Sequence, residues 1–237
     1  MAVLDFPDIE EADHDGLLAL GGDLEPESLI MAYTRGIFPW PLDPELLAWF
    51  APPKRTVLFS RDLHISRSMK HLLKNHNYTL SLNTDFDKVI YHCQQVKNRK
   101  GQRGTWITDE IVEGYSRLHQ LGAAYSVECF RDKEIVGGLY GVQINGFVSG
   151  ESMFHLEANC SKLCLIFLMS LLATQRVKWI DCQMTTPLLK SFGAKELERT
   201  DFQELLGQQL LITETNLASR KLTLHSWQGE PIDLNTL

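Results

Sequence analysis

Residues 124–155 read AYSVECFRDKEIVGGLYGVQINGFVSGESMFH, three apolar-rich runs separated by short polar turns at Lys133 and at Asn145-Gly146. Runs of this kind joined by two-residue turns pair as neighbours, which predicts an antiparallel meander. The next segment, LCLIFLMSLLA (163–173), is apolar on every side and marks a buried helix over 160–175. A strand KWIDCQMTT (178–186) follows. Strict two-residue alternation places Phe147, Ser149, Glu151 and Met153 on one face of the third run and Val148, Gly150, Ser152 and Phe154 on the other. The same rule puts Trp179, Asp181 and Gln183 together, opposite Ile180, Cys182 and Met184. Two neighbouring inner strands therefore each carry a carboxylate. A buried carboxylate without partners costs several kcal/mol or changes its pKa, so such a group needs partners or a task. The plain reading is that Glu151 and Asp181 each bond backbone, Lys or Arg groups. Gln183 beside them, and glycines 137, 138 and 141 that admit a close approach, favour a site.

Outward from this centre, the first 57 residues are turn-rich. Pro26 near the start and Gly36 just past the end bound a helix, and Pro39, Pro41, Pro44, Pro52 and Pro53 forbid long regular elements. A small N-terminal domain over 1–57 and a second domain over 58–237 are expected. In the second, a strand RTVLF, a helix over 64–76, a strand YTLSLN, a helix over 86–98 and a helix capped by Thr108 precede the meander. A helix PLLKSFGA (187–194) and a last helix near 200–210 follow it. A mixed sheet flanked by helices, an α+β or α/β layer arrangement, accounts for this order. Beyond about residue 213 the polar chain reads as a tail.

The 237 residues are 44% hydrophobic and 22% charged, a globular composition. No apolar run is long enough for a membrane span, and the N-terminus has no leader pattern. The five cysteines lack ligand spacing and read as buried thiols in a cytoplasmic protein. The histidines are likewise not in metal-ligand spacing, so no metal is expected. A net charge of −7 confines any nucleic-acid contact to a local patch. Arg67, Lys70, His71 and Lys74, at i, i+3, i+4 and i+7, make one basic helix stripe. Trp40, and Trp106 beside the basic loop Lys97, Arg99, Lys100 and Arg103, lie in loops, where a ring serves either as core or as a platform for a base. The meander, helix and strand order is also that of N-acetyltransferases. Their donor's pyrophosphate sits on a glycine-bearing loop at the helix start, but HLEANCSK here has no glycine and carries Glu157.

Several motifs then fall into one order: GLLALGGDLEPESLIMAYTRGIFPW (16–40), LHISRSMK (63–70), TWIT (105–108), VGGLYGV (136–142), GESMF (150–154) with NCSK (159–162), and IDCQ (180–183) with FGAKELER (192–199). Together they closely resemble the bacterial leucyl/phenylalanyl-tRNA-protein transferases from about residue 16 to 210. The resemblance implies a small N-terminal domain and a GNAT-like catalytic domain, with aminoacyl-tRNA in place of acetyl-coenzyme A. It also implies transfer of Leu, Phe or Met to proteins beginning with Arg or Lys, marking them for N-degron degradation. No cofactor, membrane or DNA partner is implied. By position, Tyr33, Trp40, Trp106 and Tyr115 would hold the terminal adenosine of the tRNA. Glu151 would contact the aminoacyl group, and Asp181 and Gln183 would serve catalysis. Leu139, Met153, Leu165, Leu168, Leu172 and Ile180 would line the amino-acid pocket, with the choice among Leu, Phe and Met left open. The α-amino group of the acceptor must lose a proton to attack the ester. Asp181, directly or through Gln183, is the expected recipient, unless ribose hydroxyls of the tRNA carry the proton. A coenzyme A-dependent acyltransferase and a non-catalytic RNA-binding module are the other classes that the residues leave open.

Overall fold

The structure is a computed structural model and describes residues 5–43, 45–96, 105–213, 217–230 and 232. Its N-terminal region holds the strands β1 (Leu17–Leu20), β2 (Phe38–Pro39) and β3 (Ala48–Phe50) around helix α1 (Pro26–Thr34). The strands pair in the order β1-β3-β2, a sheet that the proline count conceals but does not forbid, because strands of two to four residues need few ladder donors. Pro26 opens α1 where its missing N–H is unneeded, and Gly36 leaves the helix at φ 77°.

The chain continues through β4 (Lys54–Phe59), α2 (Arg67–Asn75), β5 (Thr79–Leu82), α3 (Phe86–Gln94) and α4 (Asp109–Gln120). The side chains of Ser66, Asp85 and Thr108 cap these helices by accepting from Met69, Lys88 and Ile111 N–H groups. Ser66 makes α2 begin later than periodicity alone indicates. The basic loop from Lys97 to Arg103 lies outside the described residues.

The predicted meander is present as β6 (Ala124–Arg131), β7 (Glu134–Ile144), β8 (Phe147–Val148) and β9 (Ser152–His155). Its turns bring Asp132, Lys133 and Asn145 to positive φ, the geometry that matches strand twist. After α5 (Cys160–Ala173) come β10 (Trp179–Asp181), α6 (Pro187–Ser191), β11 (Lys195–Glu198), α7 (Arg199–Leu210) and β12 (Leu222–His225). The large sheet runs β12-β5-β6-β7-β8, with β9 also on β7, and a second sheet runs β10-β4-β11. Their strand pairs are antiparallel; a parallel bridge between Ser149 and Asp181 joins the two sheets. The protein is thus α+β. No helix among the described residues is long and apolar enough to cross a membrane.

Two apolar cores result. In one, α5 packs on the large sheet, with Leu163 and Phe167 in a core that holds Leu80, Val127 and Leu139, and Met69 and Leu73 of α2 join the same core. In the other, α1 and the N-terminal strands share a core with α3, α4 and β7 through Leu29, Tyr33, Trp49, Phe86, Ile111 and Tyr140. All five cysteines are buried and free, as their apolar contexts imply.

Three departures from the sequence reading have physical causes. The segment after 213 is not simply a tail: β12 pairs with β5, and Trp227, 1% exposed, meets Phe167 edge-on at 5.1 Å. Leu217, Leu222, Leu224, Trp227 and Ile232 are apolar residues by which this polar stretch joins the core. Second, the third meander run is not one continuous strand. Tyr140 faces Ser152 and Gln143 faces Val148, so three steps on β7 oppose four on its partner. This one-residue bulge reverses the faces. Phe147 and Phe154 enter one core while Val148 and Met153 enter the other, which overturns the single face drawn through 147, 149, 151 and 153. Third, β10 ends at Asp181, and Gln183 turns left-handed at φ 52°, so Met184 is 44% exposed instead of joining Ile180 and Cys182.

Candidate active site

The bulge and the end of β10 meet. Gly150 N–H donates to the Asp181 carbonyl at 2.8 Å, which brings Glu151 and Gln183 side by side where the two sheets join. The Oε1 atom of Glu151 accepts from Ser149 Oγ at 2.6 Å and from Gln183 Nε2 at 2.7 Å. Ser149 is itself fixed, since its Oγ accepts from Val142 N–H at 3.1 Å and its carbonyl accepts from the Tyr125 hydroxyl at 2.7 Å. Burial pushes the Glu151 carboxyl up to about 7; the Asp181 charge adds to this, while the Ser149 bond and Arg55 oppose it.

Asp181 stands behind this pair. Its side chain is inaccessible, and Arg55 grips both oxygens, Nε to Oδ1 at 2.8 Å and Nη2 to Oδ2 at 2.6 Å. Oδ1 also accepts from the backbone N–H of Gln183 at 3.0 Å. Both oxygens of Asp181 are thereby engaged, and its bond to Gln183 links it to the residue that holds Glu151. Sequence reasoning missed Arg55, Ser149 and Tyr125. For Arg55 a signal was present: alternation in KRTVLF sets it on the same face as Val57, where a charge needs a partner.

Tyr33 on α1 and Tyr115 on α4 are both fully buried, with their hydroxyls bonded to each other. Burial and then the Glu151 charge raise both phenols well above their ordinary value. The structure therefore brings these two tyrosines to Glu151. Trp40 and Trp106 stack on one another, centroids 4.9 Å apart and planes 16° from parallel. Leu139, Leu165, Leu168, Leu172 and Ile180 are all buried in the core under α5, with Met153 packed against it. Arg67, Lys70, His71 and Lys74 are exposed along α2, whose opposite side buries Met69 and Leu73. Glu157, just before α5, accepts from Tyr78 and pairs with Arg131, both at 2.8 Å.

Comparison with known proteins bears on this arrangement. A family model described as leucyl/phenylalanyl-tRNA protein transferase matches residues 57–207, and the model of that family's N-terminal domain matches residues 22–53. The chain belongs to the leucyl/phenylalanyl-tRNA protein transferase family. A leucyl/phenylalanyl-tRNA--protein transferase of Syntrophus aciditrophicus is 47% identical over 208 residues, covering 88% of this chain and 87% of that one. One from Flavobacterium johnsoniae is 45% identical over 201 residues, covering 85% and 94%. A crystal structure of a functionally unknown conserved protein from Staphylococcus epidermidis aligns with a TM-score of 0.43 at 9% identity, over 77% of this chain and 68% of that one. The transferase family model spans Glu151, Asp181 and Gln183, whereas Arg55 falls between the two matched segments.

Proposed function

We propose that this protein transfers Leu, Phe or Met from aminoacyl-tRNA to the α-amino group of proteins beginning with Arg or Lys, marking them for degradation. The observation that carries the reading is the junction of bulge and strand end, where a carboxyl with a pKa of about 7 is held by an amide and a hydroxyl. The α-amino group of the acceptor, with a pKa near ~8, attacks the ester carbonyl of the aminoacyl group. One N–H proton passes to the Glu151 carboxylate, the C–N bond forms, and the C–O bond to the ribose breaks. Glu151 then returns the proton to the departing ribose oxygen. This assigns the proton to Glu151 instead of Asp181, because both oxygens of Asp181 are engaged by Arg55. Gln183 orients Glu151, and a base poised near operating pH is the efficient one.

Tyr33, Tyr115, Trp40 and Trp106 are assigned to the terminal adenosine. The partial exposure of Trp40, backed by the stacked Trp106, supports this, as base-on-aromatic stacking supplies ~1–3 kcal/mol. The core residues Leu139, Met153, Leu165, Leu168, Leu172 and Ile180 are assigned to the amino-acid side chain. A GNAT-like catalytic unit over 58–237 with a small N-terminal unit over 1–57 is part of the same reading; the two separate sheets that meet at the Ser149 to Asp181 bridge support the former. Coenzyme A is disfavoured as donor by the turn before α5, which has no glycine to admit a pyrophosphate and carries Glu157, held by Tyr78 and Arg131.

Incubation with radiolabelled Leu-tRNA and a peptide beginning with Arg is expected to label the peptide, whereas labelled acetyl-coenzyme A is not; the reverse result overturns the reading. The α2 stripe predicts a second outcome. Replacing Arg67, Lys70 and Lys74 by Gln should weaken tRNA binding and flatten its log–log salt dependence by about 2 to 3. An unchanged slope would return α2 to the role of a solvated face.

A further inference from the structure

We propose that Arg55 is a positioning residue for aminoacyl transfer, acting through Asp181 on Gln183 and Glu151; this rests on the function proposed above. Arg55 is 1% exposed on β4, and its guanidinium is used on every side. Nε and Nη2 grip Asp181, and Nη1 donates to the Gly36 carbonyl at 2.9 Å. Its two other contacts are rings, Phe38 at 4.6 Å and Phe202 at 4.7 Å from the guanidinium carbon. A planar fork with five donors fits such a slot, and an ammonium does not.

Buried ion pairs of this kind are an uneconomical way to gain stability, since apolar replacements often serve as well. Their attested value is in fixing one arrangement, and two linked arrangements depend on this one. Asp181, held by Arg55, offers Oδ1 to the Gln183 N–H. That bond secures Gln183 at φ 52°, a conformation a non-glycine residue adopts at a cost. From there Nε2 reaches Glu151 at 2.7 Å. In the other direction, the bond to Gly36 and the contact with Phe38 tie the same guanidinium to the turn that leads to Trp40. Arg55 thus joins the segment assigned to the adenosine to the groups assigned to the proton.

The test uses Arg55→Lys, Phe202→Leu and the double variant in the full chain, with transfer kinetics, thermal unfolding and amide hydrogen exchange. Arg55→Lys is expected to lower kcat by about 100-fold, the scale of a misplacement near 1 Å, with KM for Leu-tRNA within about 3-fold. The Gln183 amide should exchange at least about tenfold faster while that of Cys182, bonded to the Thr56 carbonyl, keeps its protection. Phe202→Leu should lower kcat by about 5-fold through a looser guanidinium, and the double variant should be no worse than Arg55→Lys, the non-additivity of groups acting as a unit. A folded Arg55→Lys protein with kcat within about 3-fold of wild type, or with Gln183 still protected, overturns the proposal. So does a lower melting temperature with unchanged kcat. If Arg55→Lys does not fold, unchanged kcat in Phe202→Leu overturns it instead. If the wild-type protein transfers nothing, the functional reading falls, and the exchange measurement still decides whether Arg55 positions Gln183.

Discussion

Glu151→Gln is expected to lower transfer from Leu-tRNA to an Arg-initiated peptide by roughly 10²- to 10⁴-fold, the span of a lost general base. A glutamine fills the same space, and its carbonyl oxygen still accepts from Ser149 Oγ and Gln183 Nε2, so only the ionisation is removed. The wild-type rate should rise with pH through about 7, as the carboxyl ionises, and the residual rate of the variant should lack that step. Stability should move the other way. A carboxyl at about 7 in the folded chain, above its ordinary 4.5, favours folding fully below pH ~4.5 and loses that contribution as pH rises through 7. By pH 8 ionisation of Glu151 has removed about 3 kcal/mol of folding stability relative to its protonated form, a loss the glutamine avoids. Urea titrations at pH 5 and pH 8 should therefore show the variant gaining on wild type only at the higher pH. Equal gains at both, or a wild-type rate flat from pH 6 to 8, would sink the assignment.

Gly141→Ala is expected to cost more than ~3 kcal/mol, beyond the common range for overpacking, and to abolish transfer in whatever protein still folds. A Cβ at 141 would stand 1.8 Å from the Ser149 carbonyl oxygen and 2.8 Å from the Tyr125 hydroxyl. Neither is the free end of a flexible chain: Ser149 is backbone, and Tyr125 is buried and bonded to it. To make room, β7 must separate from the bulge, giving up the Ser149 and Val142 bonds that hold Glu151 in place. Gly150→Ala is the control, since nothing lies within 4 Å of a Cβ there; its stability should stay within about 1 kcal/mol of wild type. Chemical denaturation of the two variants decides the matter, and a loss below about 1 kcal/mol at Gly141 would show that the bulge is not the rigid support described.

The meander was legible because its strands alternate and its turns carry residues suited to positive φ, such as Asn145. Helix α5 was legible because it is apolar all round, and Thr108 announced α4. Asp181, Gln183 and Glu151 were found as a group by two-residue alternation, although the rule fails between Phe147 and Met153. A bulge inserts one residue without leaving a compositional mark, so no periodicity reveals it; Gly141 opposite is the one local clue. The strands β1, β2, β3 and β11 were missed because they are short and their pairing, not their residue types, makes them strands. Arg55 escaped because nothing in KRTVLF names its partner, which lies 126 residues further on. The resemblance supplied roles for Tyr33 and Tyr115, but not that their hydroxyls bond each other beside Glu151.

That separation of 126 residues between Arg55 and Asp181 also bears on how the molecule folds. Closing so long a loop costs about 4 kcal/mol in chain entropy before any contact forms, and β4 must wait for both β10 and β11 before its sheet exists. The meander, by contrast, closes on itself over turns of two residues. Contacts of such long range form slowly, so the hairpins around β7 should be protected early in refolding while the Arg55 to Asp181 clasp closes in the last phase. Recovery of enzymatic activity would then report completion of folding, not its onset.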